Sequence, residues 1–142
     1  MKAKISLTAL VIFFSLSLSA QSSAKHFCRE GIQCNSEIMA LVPGYQIVKD
    51  TAFSKIRAFV FKNADGDQLQ IFYDEKTGSP AQYSMRSIVG PRPSVEKIYT
   101  EYFGRAASSD QLKSGDKWRT PDNTFDLSAY DPHPGYIMLR IF

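Results

Sequence analysis

Alternation of apolar and polar side chains dominates the middle of the chain. Tyr45 and Ile47 alternate with polar neighbours up to Lys49. "KIRAFVFK" at 55–62 sets Ile56, Ala58 and Val60 against Phe59 and Phe61, and "QLQIFYD" at 68–74 and "QYSMRSIV" at 82–89 follow. A period of two marks a strand with one buried face, and the turn-forming clusters between these segments predict an antiparallel meander. One connection, "NADGD" at 63–67, also resembles a calcium loop. Aligning Gly66 with the invariant glycine of an EF-hand places Phe61 and Phe72 at ligand positions, where neither offers an oxygen. Asp65-Gly66 instead suits a hairpin turn that needs a positive φ.

Two segments switch to the helical period. "NSEIMALVPG" at 35–44 predicts a short helix capped by Asn35 or Ser36, with Glu37 in its first turn and Pro43-Gly44 as its stop. "SVEKIYTEYFG" at 94–104 predicts a stronger one, following the Pro-rich "GPRP" hinge at 90–93. Ser94 would cap it, Gly104 would end it, and Val95, Ile98, Tyr99, Tyr102 and Phe103 would form one apolar stripe packed on the sheet. A polar, loop-like tract at 105–122 comes next, then "TFDLSAY" and "YIMLRIF", two strand-like runs joined by "DPHPG". The last is apolar throughout except Arg140, which predicts an interior strand. The sum is an α+β fold in a single domain at 25–142: a sheet of five to six strands packed on one amphipathic helix, with a short N-terminal helix.

The N-terminus changes the electrostatic picture. Lys2 and Lys4 precede an uncharged, mostly apolar run from Ile5 to Leu18, and small residues follow at Ser19, Ala20, Ser22 and Ala24. This is the pattern of a cleaved secretory signal over residues 1–20, with cleavage after Ala20 or Ala24. The run is too short to span a bilayer, which takes about 20 apolar residues. Of 17 basic and 14 acidic residues, two lysines would leave with the leader, so 15 minus 14 gives the mature chain +1. Its charges are interspersed, so neither a phosphate-neutralising stripe nor a polybasic membrane patch is present, and no nucleic-acid partner or membrane anchor is expected. No Asn-x-Ser/Thr sequon occurs, and with the short leader this points to a periplasmic or secreted bacterial protein.

Candidate chemistry is sparse. The G-x-S-x-G, H-E-x-x-H, P-loop and G-x-G-x-x-G motifs are all absent. Cys28 and Cys34 are spaced C-x₅-C, unlike the C-x-x-C of redox enzymes. With His26 they supply three metal ligands where a structural zinc takes four, and the other histidine lies far downstream. An exported chain with two cysteines predicts a Cys28–Cys34 disulfide, and no metal or cofactor is expected. Closing so short a loop would stabilise by about 2–2.5 kcal/mol on the chain-entropy model.

Two segments suit a protein partner. Trp118 and Arg119 sit in the polar "DKWRTPDN" at 116–123 and are residue types enriched at binding hot spots. Tyr130, His133 and Tyr136 surround two prolines at a hairpin tip, which would present them at low entropic cost. The leading expectation is therefore a non-enzymatic module that binds a protein outside the cytoplasm, of the kind an inhibitor or immunity protein represents. A small hydrolase using His133 with Asp131, or carboxylates assembled by the fold, is the rival. A ligand carrier with a cavity between Tyr99, Tyr102 and the sheet is the third reading.

Overall fold

The computed structural model describes residues 28–76, 82–105, 118–119 and 124–142. The leader, its two cleavage points and His26 lie outside them. Helix α1 spans Cys34–Leu41, followed by strands β1 (Gln46–Phe53), β2 (Ile56–Lys62), β3 (Gln68–Glu75) and β4 (Tyr83–Pro91). Helix α2 (Arg92–Lys97) runs directly into a π-helical turn at Ile98–Tyr102. Strands β5 (Trp118–Arg119), β6 (Phe125–Ala129) and β7 (Tyr136–Ile141) complete the order. All strands join one antiparallel sheet in the order β1-β2-β3-β4-β7-β6-β5. The expected meander and C-terminal hairpin are present, and β7 lies inside the sheet between β4 and β6, as its apolar sequence predicts. The fold is α+β and mostly sheet.

The sheet has one more strand than expected because Trp118 and Arg119 are not in a loop. They pair with Leu127 and Asp126 as the two-residue β5. The meander is joined as predicted: Gly66 takes φ +87° in the β2–β3 turn, where Asn63 Oδ1 accepts the Asp67 N–H at 2.9 Å.

One face of the sheet meets the helices. Phe59, Phe61, Leu69, Ile71, Tyr73, Met85, Ile88, Leu127 and Leu139 form a buried cluster with Ile38 of α1 and with Val95, Ile98, Tyr99, Tyr102 and Phe103. The predicted aromatic stripe is thus core. The π turn, closed by Phe103 N–H donating to Ile98 O at 3.2 Å, keeps its last aromatics buried together, and Gly104 (φ +65°) then turns the chain away. Gly90 on β4 permits a close approach, since a Cβ there would stand 2.6 Å from Leu69 Cδ1.

Both helix starts differ from the sequence expectation. α2 begins at Arg92, directly after the strand residue Pro91, with Pro93 in its first turn, where a missing N–H costs nothing. "GPRP" is therefore not a separate hinge. Ser94 caps nothing; its Oγ lies 3.2 Å from the Tyr45 hydroxyl. α1 begins at Cys34 with Gln33 in the cap position, two residues before Asn35 and three before Ser36, and without a side-chain cap. Asn35 instead accepts the Tyr73 hydroxyl at 2.6 Å, and Ser36 Oγ donates to Gln33 O at 2.9 Å. Tertiary partners thus took the side chains of Ser94 and Asn35, while Ser36 bonds within its own turn.

The cysteine segment is built into the sheet. Cys28 and Cys34 form the expected disulfide, and Cys34 is fully buried. Gly31 N–H donates to Tyr83 O at 2.6 Å and Met85 N–H to Arg29 O at 2.9 Å, with Glu30 bridged to Ser84. β7 pairs with β4 only from Ser87 onward, so this arm continues the pairing along the start of β4. The Tyr102 hydroxyl locks it from the other side: it accepts the Cys28 N–H at 2.9 Å and lies 3.0 Å from both Cys28 O and Glu37 Oε2.

Candidate functional site

Antiparallel pairing gathers several chain reversals at one end of the sheet. β1 starts there, β2 and β4 end there, and β3 and β7 start there, as the pairs Gln46↔Lys62, Lys62↔Gln68 and Pro91↔Tyr136 record. The result is a rim made of the start of β1, the β2–β3 turn and the β6–β7 tip.

The tip is held by many short-range bonds. Tyr130 N–H donates to Tyr136 O at 3.0 Å, His133 N–H to Tyr130 O at 3.0 Å, and Tyr136 N–H to His133 O at 3.1 Å. Arg92 N–H, opening α2, donates to Gly135 O at 3.0 Å. The Tyr136 phenol reaches past the end of β4 to accept the Gln68 N–H at 2.9 Å, and so couples the tip to the β2–β3 turn. The His133 ring stacks on Tyr136 with centroids 3.7 Å apart and planes 28° apart. Its Nδ1 lies 3.1 Å from Pro134 O, a contact that requires the proton on Nδ1. Asp131, Pro132, His133 and Pro134 are nonetheless exposed. The loop is rigid and presented to solvent.

At the same end of the sheet, with β2, β3 and β4 between it and β7, β1 carries Ile47 and Val48 at 56% and 58% exposure, the most exposed large apolar side chains among the described residues. β1 is the outermost strand of the sheet, and a register shift between Ile47 and Lys49 breaks its alternation there. Tyr45, just before it, is half-buried against Ser94. Burial raises its pKa above the usual phenol value; the Ser94 hydrogen bond opposes this, and the nearby charges of Asp67 and Asp65 add to it. The rim therefore combines apolar, aromatic and acidic groups with one histidine.

The structure brings three of the five predicted contact residues together here: Tyr130, His133 and Tyr136. Trp118 and Arg119 lie elsewhere, on β5 at the opposite edge of the sheet from β1. Ile47 and Val48 were missed, because alternation alone reads them as a half-buried strand. Only the position of β1 at the edge of the sheet explains their exposure.

The rival chemistries find less support. His133 and Asp131 do not line the groove over β2, β3, β4 and β7. Asp74 is engaged by Arg86 at 3.2 Å, and Asp67 is tied into its turn by Asn63. The volume proposed for a carrier cavity is occupied by side chains: Tyr99 packs edge-on against Phe125 (5.7 Å between centroids) and Tyr102 against Phe103 (5.1 Å). Among the described residues, no three of His, Cys, Asp and Glu gather where they could hold a metal ion. No described helix is long and apolar enough to cross a membrane.

No family model, no curated protein and no solved structure matches the chain.

Proposed function

We propose that this chain is an exported protein-binding module, in the manner of an inhibitor or immunity protein, and that its partner contacts the rim formed by the start of β1 and the β6–β7 tip. The observation that carries this reading is the tip itself. His133 and Tyr136 are exposed or half-exposed yet fixed by stacking, by two flanking prolines and by hydrogen bonds to β3 and α2. Such groups lose little conformational freedom on association, so their contact area translates more fully into affinity. Aromatic side chains in a rigid loop and exposed aliphatic ones at the same end of the sheet are the residue types an interface core uses. The sequence supports export through its leader, and the disulfide is compatible with an oxidising compartment.

The test is a pair of surface substitutions. Ile47→Asp combined with His133→Asp should abolish a complex formed in an extracytoplasmic extract of the native host, while the melting temperature stays within about 2 °C, as expected for surface sites. Thr100→Asp, on the exposed side of the π turn, should leave the complex intact. Retention of the complex in the rim variant, or its equal loss in the Thr100 variant, would place the contact elsewhere.

A further inference from the structure

On the sheet face turned away from the helices, one cross-strand row reads Ala58, Phe72, Ser87, Arg140, Asp126 from β2 to β6. Ala58 and Ser87 are small and form a low floor between taller neighbours. A groove of about 790 Å³ lies over this row, walled by Phe53, Ile56, Phe72 and Met138, with Ser87 and Arg140 on its polar side. That size falls in the range of about 300–1,000 Å³ typical of small-ligand sites, and so does the mixture of apolar walls with a few polar groups.

The charges along the groove are unevenly matched. The charged side chains lining it are Arg86, Arg140 and Asp74, and the last residue, Phe142, also borders it. Arg86 is paired with Asp74 at 3.2 Å. Arg140 has no carboxylate partner among the described residues; its Nε donates to the Met138 thioether at 3.3 Å, a weak acceptor. Asp126, across from it in register, is buried, is not part of the groove lining and forms no ion pair with it. A half-buried guanidinium beside a serine, bordered by aromatic and thioether surface, is a fork awaiting a planar anion.

We propose that this groove binds an amphiphilic monocarboxylate: the carboxylate lies on the Arg140 guanidinium and the Ser87 hydroxyl, and the apolar body on Phe53, Ile56, Phe72 and Met138. The Arg140 guanidinium, held only by the Met138 thioether, offers a planar fork that fits a carboxylate. The site is on a different surface from the rim and does not depend on the rim having a protein partner.

The test titrates decanoate and decan-1-ol separately into the oxidised protein, following backbone amide shifts. Decanoate should move the amides of Phe72, Ser87 and Arg140 and bind at least about tenfold more tightly than the alcohol, the margin expected of a charge-assisted hydrogen bond. Arg140→Gln should erase that preference, and Phe53→Ser, at an exposed position on the groove wall, should weaken both ligands alike. Equal binding of acid and alcohol to the native protein would overturn the proposal whether or not the Arg140 variant folds. So would shifts confined to another surface, or a preference that survives in a folded Arg140→Gln.

Discussion

Two buried phenols do more to fix the N-terminal region than any charged pair. Tyr102 satisfies the Cys28 N–H and contacts Glu37, and Tyr73 donates to Asn35. Burial pushes both pKa values well above the usual phenol range, and for Tyr102 the Glu37 hydrogen bond pushes in the same direction. A folded-state pKa above the unfolded value of about 10 means that the native state holds its proton more tightly. Their contribution is therefore complete below about pH 10 and is lost as pH rises through the folded-state values. Stability should fall steeply above pH 10, with part of the tyrosinate absorbance appearing only as the protein unfolds; a smooth titration of every tyrosine in the folded state would contradict this. Tyr102→Phe should cost about 1–2 kcal/mol in urea denaturation, because it leaves the Cys28 amide without its acceptor. The sequence marked Tyr102 as core. It did not reveal the hydroxyl's partners, which lie 65 and 74 residues away in the chain.

At the scale of elements, what was legible followed local period and turn chemistry. The strands of the meander, the Asp65-Gly66 turn, the terminal hairpin and the buried stripe from Val95 to Phe103 all arise from spacing that the chain carries by itself. The helix starts were not legible, because Tyr73 and Tyr45 took the side chains that would have served as caps. β5 was not legible either: two residues are too short for a period, and they pair only because β6 offers an edge. The disulfide was read correctly as a local staple, but its arm is more integrated than the spacing implied, since it extends the pairing along β4. Reduction should lower stability by about 2–2.5 kcal/mol. Hydrogen exchange should then show faster exchange at Gly31 and Met85, whose amides bond across this junction, while β3 and β7 keep their protection. Uniform loss of protection across the sheet would show that the arm is instead required for the whole fold.

For the whole molecule, the strand order decides which surfaces are available. Placing β1 at one edge exposes Ile47, Val48 and Phe53, and gathering the turns at one end sets the first two on the same end of the sheet as the His133 tip. Placing β7 between β4 and β6 brings Arg140 beside Ser87, and the register shift after Phe72 aligns Ser87 with Phe72. Neither the rim nor the groove could be assembled from sequence, since each depends on pairing between strands distant in the chain. The tip alone was visible beforehand, through its prolines and aromatics. The central claim is that the rim is the contact surface, and site-specific photo-crosslinking in the exporting host tests it most directly. A photoreactive residue at Ile47 or His133 should yield one discrete adduct with an extracytoplasmic protein, and the same residue at Thr100 should yield none. Adducts from Thr100 equal to those from the rim, or none from either rim position, would contradict the account.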